Sequence, residues 1–449
     1  KESIEGKVID GKKIPGLGSP NADESMSVFV IDLATNKVKA KLKTGMLLGE
    51  LVEDAEVIGG ASPNSIVMGT KFAYVTNATN DNIAVIDYKR GRIAKHIAIK
   101  VDQRIDKLRG LVPFGIDLTK DEKYLFVALL GFNAVAKIDL ASEKTLGLIP
   151  TGWGTTRVKL SNDDKTIYVT SCRGLGAGPN GGKNFKIPAQ GSYIGDIQLG
   201  SFQKIENPSI DKLKAYTKQT IENTFIVKSQ TDSLPLPVLP GSKESPIKHI
   251  VFITKENRTF DEVFGQMKNI RGESSLARFG LDVTVMDKTG IVKNVNVTPN
   301  HHKIAKQFSL SDNFYCDSDA SIHGHHWMMG VIPNEWVEAN SSTEKTADYF
   351  STAPGRRFPG STGSMDPEDY AEIGGLWEAL DRKNISYYNF GQANETAHVR
   401  EDWSDTATGA AHIVMVPMQK GVWERTSHNF AGYNTNIPDQ FRMKQFEEE

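Results

Sequence analysis

The sequence predicts a multidomain chain of β and α/β class: a partial β-propeller, a proline-rich connector, then a mostly parallel α/β sheet. Three observations predict it. Short strand patterns recur through the first part, a proline-crowded stretch interrupts them, and helix and strand patterns alternate beyond it. The expected boundaries are 1–230, 231–246 and 247–449. A length of 449 residues is more than one core usually serves, so two domains are the expectation.

The repeat is read from its copies. Tyr74-Val-Thr-Asn77, Phe126-Val-Ala-Leu129 and Tyr168-Val-Thr-Ser171 occupy like positions. The first two are followed by Ile83-Ala-Val-Ile-Asp87 and Ala134-Val-Ala-Lys-Ile-Asp139, and Ser27-Val-Phe-Val-Ile-Asp32 is an earlier copy of that second half. Polar clusters at 118–123 and 160–165 precede strands, and alternating strands follow each Ile-Asp pair. Strands repeating every ~40–50 residues are the pattern of propeller blades. The copies resemble the YVTN family of β-propeller repeats, with the motif nearly literal at Tyr74–Asn77. Three to four blades are visible, too few to close a ring, so either upstream blades are absent or weaker ones lie within 185–230.

The glycine-rich run Arg173–Lys183 lacks the pattern of a nucleotide loop. Ala177 stands where the first glycine would fall, and Asn184 replaces the hydroxyl residue that would hold magnesium. The run reads as a long inter-strand loop. The prolines between Ser233 and Pro246 exclude regular helix and favour an extended connector. Further on, Leu376–Arg382 reads as a helix, Ile385–Phe390 as a strand, and the charged end around Lys444 as a helix. Lys1 is not a methionine and the last helix pattern has no C-cap, so both ends read as cut.

Composition excludes some classes. A net charge of -2 argues against a general nucleic-acid binder. No apolar run reaches the ~20 residues that span a bilayer, so the chain is not expected to be transmembrane. Two cysteines, Cys172 and Cys316, exclude a disulfide-dense scaffold.

The chemistry concentrates after residue 247. The apolar run Ile250–Ile253 reads as a buried strand that delivers Glu256 and Asn257 to its carboxyl end, and Thr259 opens a helix with Phe260, Val263 and Phe264 on one side. The carboxyl ends of strands are where open α/β sheets place ligand sites, and adjacent hard oxygen donors suit a divalent cation. Eight of the ten histidines follow residue 298, with His301, His302, His323, His325 and His326 in two clusters. Phe308–Tyr315 reads as a strand before the second cluster. Ser321 then sits at a strand-to-helix turn, where helical N–H groups favour a phosphate or an ionised hydroxyl.

Residues 246–449 resemble the N-terminal half of a bacterial phosphoesterase domain, of the phospholipase C and acid-phosphatase branch of the alkaline phosphatase superfamily. Ile250–Asp261, Thr298–His302, Leu310–Tyr315 and Ser321–Trp327 carry the resemblance, and the Glu256–Asp261 segment is its most specific part. The resemblance implies an alkaline-phosphatase-like sheet, here short at its C-terminal side. Glu256, Asn257 and Ser321 bind a divalent metal (Zn, Ca, Mn or Mg) in this reading. Ser321 attacks phosphorus, and His325 with one of His301 and His302 steadies the phosphoryl oxygens or protonates the leaving group.

Two departures accompany it. The turn reads Ser321-Ile-His-Gly324, without the asparagine that binds the phosphoryl group in related members, and His323 or His326 is the substitute. The family's later ligands, an Asp pair and further histidines, have no match in the sequence, and Asp402, His412, His428 and Asp439 stand outside that motif. The chain is therefore expected to hold half a metal site, with the parent protein rather than this fragment as the working enzyme. Arg356 and Arg357 read as loop residues. The expected function is metal-dependent phosphoester hydrolysis through a serine nucleophile, with a phosphate-ester substrate, a protein or surface partner for the propeller, and an extracytoplasmic location implied by resemblance. The alternative is a surface-associated propeller binding protein whose second domain is catalytically silent.

Overall fold

The computed structural model describes residues 7–9, 12–14, 25–47, 49–105, 107–174, 199–224, 246–314, 321–330, 332, 371–392, 422, 424–427, 430 and 437–449. Two compact units are present, one of residues 1–244 with 322–449 and one of 245–321. The connector, the glycine-rich run after Gly174, Arg356, Arg357, His398, Asp402, His412 and His428 lie outside the described residues.

The larger unit is strand-rich. Short hairpins come first: β1 (Lys7–Ile9) with β2 (Lys12–Ile14), β3 (Ser27–Asp32) with β4 (Lys37–Lys43), and β5 (Leu51–Val52) with β6 (Ala55–Glu56). Two four-stranded antiparallel meanders follow. The first is β7 (Pro63–Met68), β8 (Ala73–Asn77), β9 (Asn82–Asp87) and β10 (Arg92–Ala98); the second is β11 (Pro113–Leu118), β12 (Tyr124–Leu129), β13 (Ala134–Asp139) and β14 (Lys144–Pro150). A third sheet has three strands, β15 (Thr155–Leu160), β16 (Thr166–Ser171) and β17 (Ser201–Glu206). The repeated sequence copies therefore fall on equivalent strands: β8, β12 and β16 carry the first half, and β3, β9 and β13 the second.

Burial explains the motif's composition. Strands β8 and β9 are buried along their whole length, so polar residues there must find partners within the protein. The Thr76 hydroxyl donates to the Phe114 carbonyl at 2.8 Å and accepts from the Ser65 amide at 3.1 Å, which links the first two meanders. The Asn77 amide donates to the Asn82 side chain at 2.8 Å across the β8–β9 hairpin. Each repeated aspartate closes the next turn by accepting backbone N–H groups: Asp32 from Ala34 and Thr35, Asp87 from Arg90, and Asp139 from Ser142. This is Asx-turn chemistry. The first strands of successive sheets also approach closely: a Cβ on Gly115 of β11 would lie 2.6 Å from the Thr156 carbonyl of β15, so only glycine fits. Asp117 accepts from Lys159 Nζ at 2.8 Å and from the Leu160 amide at 2.7 Å.

Helix α1 (Ile210–Thr224) stands where further strands are expected. Leu213 and Ile221 bury against the second meander, and Thr217 accepts the Leu148 amide of β14 at 2.8 Å. The helix therefore occupies β14, the edge strand of that sheet, which would otherwise present unpaired amides. Two other helices of this unit match the sequence reading, α5 (Leu376–Arg382) and, at the chain's end, α6 (Asp439–Glu448). A buried ionic contact joins distant parts: Arg109 pairs with Glu372, and the Glu372 carbonyl accepts from Ile58 at 2.8 Å and Gly59 at 3.2 Å.

Beyond residue 246 the sheet expectations are corrected. Ile250–Ile253 has no regular strand structure, and its four side chains are between 67% and 83% exposed. Residues 308–314 hold no strand. Within 385–390 there is only an isolated parallel bridge, Asn389 to Thr426. Among the described residues after 246, regular pairing is confined to the antiparallel hairpin of β18 (Val283–Asp287) and β19 (Gly290–Val295), so no mostly parallel sheet is formed by them. Apolar runs have strand character only when another strand satisfies their amides, and no described strand does so here.

Candidate functional site

In the 245–321 unit, the chain approaches helix α2 (Phe260–Phe264) through Glu256 and Asn257. Thr259 caps that helix with a reciprocal pair of bonds: its hydroxyl accepts the Glu262 amide at 3.3 Å, and Glu262 accepts the Thr259 amide at 2.9 Å. This capping box takes the role that Asn257 could have filled. Asn257 instead adopts φ +66°, a left-handed conformation that asparagine tolerates better than most residues. Glu256 is half-buried and Asn257 exposed.

The segments around α2 are tied to it. Glu262 pairs with Arg278, and its carboxyl is held below the usual range by the Thr259 amide and then by that guanidinium. Phe279 donates its amide to the Glu262 carbonyl at 2.9 Å and accepts the Thr298 hydroxyl at 2.5 Å. The Arg258 guanidinium lies 4.4 Å from the centre of the Phe279 ring. Asp312, in the expected Leu310–Tyr315 motif, accepts the Arg271 amide at 2.8 Å and its guanidinium at 3.1 Å. The Arg271 amide is the main reason its carboxyl lies below the ordinary range.

Helix α3 (Pro299–Gln307) separates the two histidines left open by the sequence. Neighbouring helical residues point ~100° apart, and His302 is the one turned inward, 3% exposed. Its Nε2 donates to the Val263 carbonyl at 2.7 Å, and its ring lies 5.5 Å from Phe264. His302 is thus engaged in holding α3 to α2. His301 is half-buried.

Helix α4 (Ser321–Gly330) begins at Ser321, as expected, and residues 321 and 325 are one helical turn apart. The side chains of Ser321 and His323 lie outside the described residues. In the larger unit, His325 is half-buried with Nδ1 3.0 Å from Gln392 Nε2, and His326 is 7% exposed. Gln392, 67 positions from His325, carries no sequence signal that would have pointed to it. Asp439 begins helix α6.

Glu256 and Asn257 offer hard oxygen atoms, right in kind for a divalent cation, but two donors are fewer than the roughly four to eight of a full shell. Among the described residues, no three His, Cys, Asp or Glu side chains gather so as to hold a metal. No described helix is long and apolar enough to cross a membrane.

Residues 247–354 match the model of the Phosphoesterase family, a segment that contains Glu256, Asn257, His301, His302, Ser321 and His325. No curated protein matches the chain. Similar solved structures include the hydrazine synthase of Kuenenia stuttgartiensis, 24% identical over 34% of this chain and 40% of that one, with a TM-score of 0.26. A functionally unknown protein from Desulfotomaculum acetoxidans is 17% identical over 35% of this chain and 44% of that one, with a TM-score of 0.24. The chain spans less than half the length of either.

Proposed function

We propose that the chain is part of a metal-dependent phosphoester hydrolase, with Ser321 as its nucleophile and a propeller-like N-terminal region. The match of residues 247–354 to the Phosphoesterase family carries this reading. In it, the Ser321 oxygen bonds to phosphorus as the bond to the leaving oxygen breaks, and water later cleaves the phosphoserine. The first turn of α4 presents unpaired backbone N–H groups to the anion at that point. His325, one turn along, donates a hydrogen bond that steadies the phosphoryl or leaving oxygen. His301 contacts the phosphoryl oxygens, because His302 is committed to the Val263 carbonyl. Glu256 and Asn257 would hold the divalent cation, whose positive charge favours the ionised serine and offsets charge on the phosphoryl group.

The substrate is a phosphate ester, and the propeller-like region binds a protein or surface partner outside the cytoplasm. The repeated antiparallel meanders with adjoining first strands support the propeller-like reading. Turnover of p-nitrophenyl phosphate with added divalent metal tests the assignment: the wild-type chain should hydrolyse it and Ser321→Ala should not. Equal turnover by the two proteins rules out Ser321 as nucleophile.

A further inference from the structure

We propose that Gln392 is a positioning residue for His325, its side-chain amide setting which ring nitrogen holds the proton. The inference deepens the hydrolase reading and rests on it. Gln392 Nε2 and His325 Nδ1 are 3.0 Å apart. An amide nitrogen only donates, so Nδ1 accepts and a neutral ring carries its proton on Nε2. In that tautomer Nε2–H is a hydrogen-bond donor, which steadies a phosphoryl or departing oxygen while the ring keeps its proton.

Gln392 is itself held from two sides. Its backbone N–H donates to Asn389 Oδ1 at 3.2 Å, and its backbone carbonyl accepts from Asn389 Nδ2 at 2.7 Å. Asn389 is 3% exposed; its Nδ2 reaches Thr426 Oγ1 at 3.1 Å, and its backbone exchanges bonds of 2.8 Å with Arg425 and Ser427. Gly391, at φ +94°, permits the turn that brings residue 392 back over residue 389. A backbone fixed this way gives the Gln392 side chain a set starting point beside the ring, and its donor then favours one ring orientation and tautomer.

The test uses the full chain. Long-range proton–nitrogen spectra of the isotope-labelled protein, with His325 assigned through His325→Gln, should show the wild-type ring protonated on Nε2. Gln392→Leu should lose that preference, and Gln392→Glu should draw the proton to Nδ1. In hydrolysis, the charge left on a poor leaving group needs the Nε2–H donor more than that on a good one does. Gln392→Leu should therefore lose roughly tenfold or more in kcat on phenyl phosphate, and clearly less on p-nitrophenyl phosphate. An unchanged tautomer, or an equal loss on both esters, overturns the proposal. If the wild-type chain hydrolyses neither ester, the hydrolase reading and the catalytic use of His325 both fall. The spectra then still decide whether Gln392 sets the ring.

Discussion

His302 donates a hydrogen bond from Nε2 to the carbonyl of Val263, 2.7 Å away, and so joins α3 to α2 within the 245–321 unit. His301, its neighbour in sequence, is half-buried. Two histidines of one motif thus have separate tasks. His302→Ala should destabilise the unit by about 1–3 kcal/mol, the cost of a buried acceptor left unmet, and urea denaturation measures it. His301→Ala should leave the urea midpoint near wild type and lower hydrolysis. The reverse pattern would exchange the two roles.

Thr76 serves two sheets at once, as donor to Phe114 and acceptor from Ser65. Thr76→Val keeps the shape and removes both bonds, so thermal stability should fall by about 1–3 kcal/mol. Thr76→Ser should recover most of that loss. If the valine variant melts with wild type, the motif's threonine is not the link between meanders.

The repeat part was legible because local chemistry and tertiary demand coincide there. Tyr74–Asn77 and Ile83–Asp87 are strand formers in which the Thr76 hydroxyl, the Asn77 side-chain N–H and the Asp87 carboxylate have partners within or beside the meander. Helix α1 was not legible as part of this architecture, since its position depends on Gly147 and Leu148, strand residues 65 or more positions before Leu213 and Thr217, which complete the contact. Ile250–Ile253 misled for a related reason: apolar character identifies a candidate strand but not the partner that would pair with it. At the site, Thr259 and the start of α4 at Ser321 were readable from local signals. The roles of His302 and Gln392 depend on Val263 and His325, which are distant in sequence.

Asp81 accepts the Gly110 amide at 2.8 Å and the Val112 amide at 3.0 Å. Although the residue is partly exposed, its carboxyl is enclosed by protein, and that desolvation pushes its pKa to about 7 against the pull of those amides. Unfolded, the group titrates near ~3.9. The folded chain therefore binds more protons between these values, and this group's contribution to stability falls as pH rises from about 4 to about 7. Buried Glu372, also raised by desolvation, acts in the same sense. Thermal midpoints of wild type and Asp81→Asn across that range should converge with a shallower fall in the variant. Parallel curves would show that Asp81 is not the titrating group.

Arg109 and Glu372 lie 263 positions apart and pair in a mostly buried setting, with Glu53 3.3 Å from the same guanidinium. Removing one partner of a buried pair costs about 3–5 kcal/mol. Arg109→Met should therefore be strongly destabilising, and Arg109→Met with Glu372→Leu should recover much of the loss. Amide exchange at Ile58 and Gly59, which donate to the Glu372 carbonyl, should accelerate in the single variant. Unchanged exchange at both amides would contradict a docking role for this pair.

Hydrolysis through Ser321 requires that the hydroxyl at the start of α4 become covalently attached to phosphorus. Acid quenching during turnover of a phosphate ester, followed by mass spectrometry of the peptide holding Ser321, tests it most directly. Phosphate on Ser321 is expected in the wild-type chain, and none in Ser321→Ala. Steady hydrolysis with phosphate on no serine, or persisting undiminished in Ser321→Ala, would contradict it.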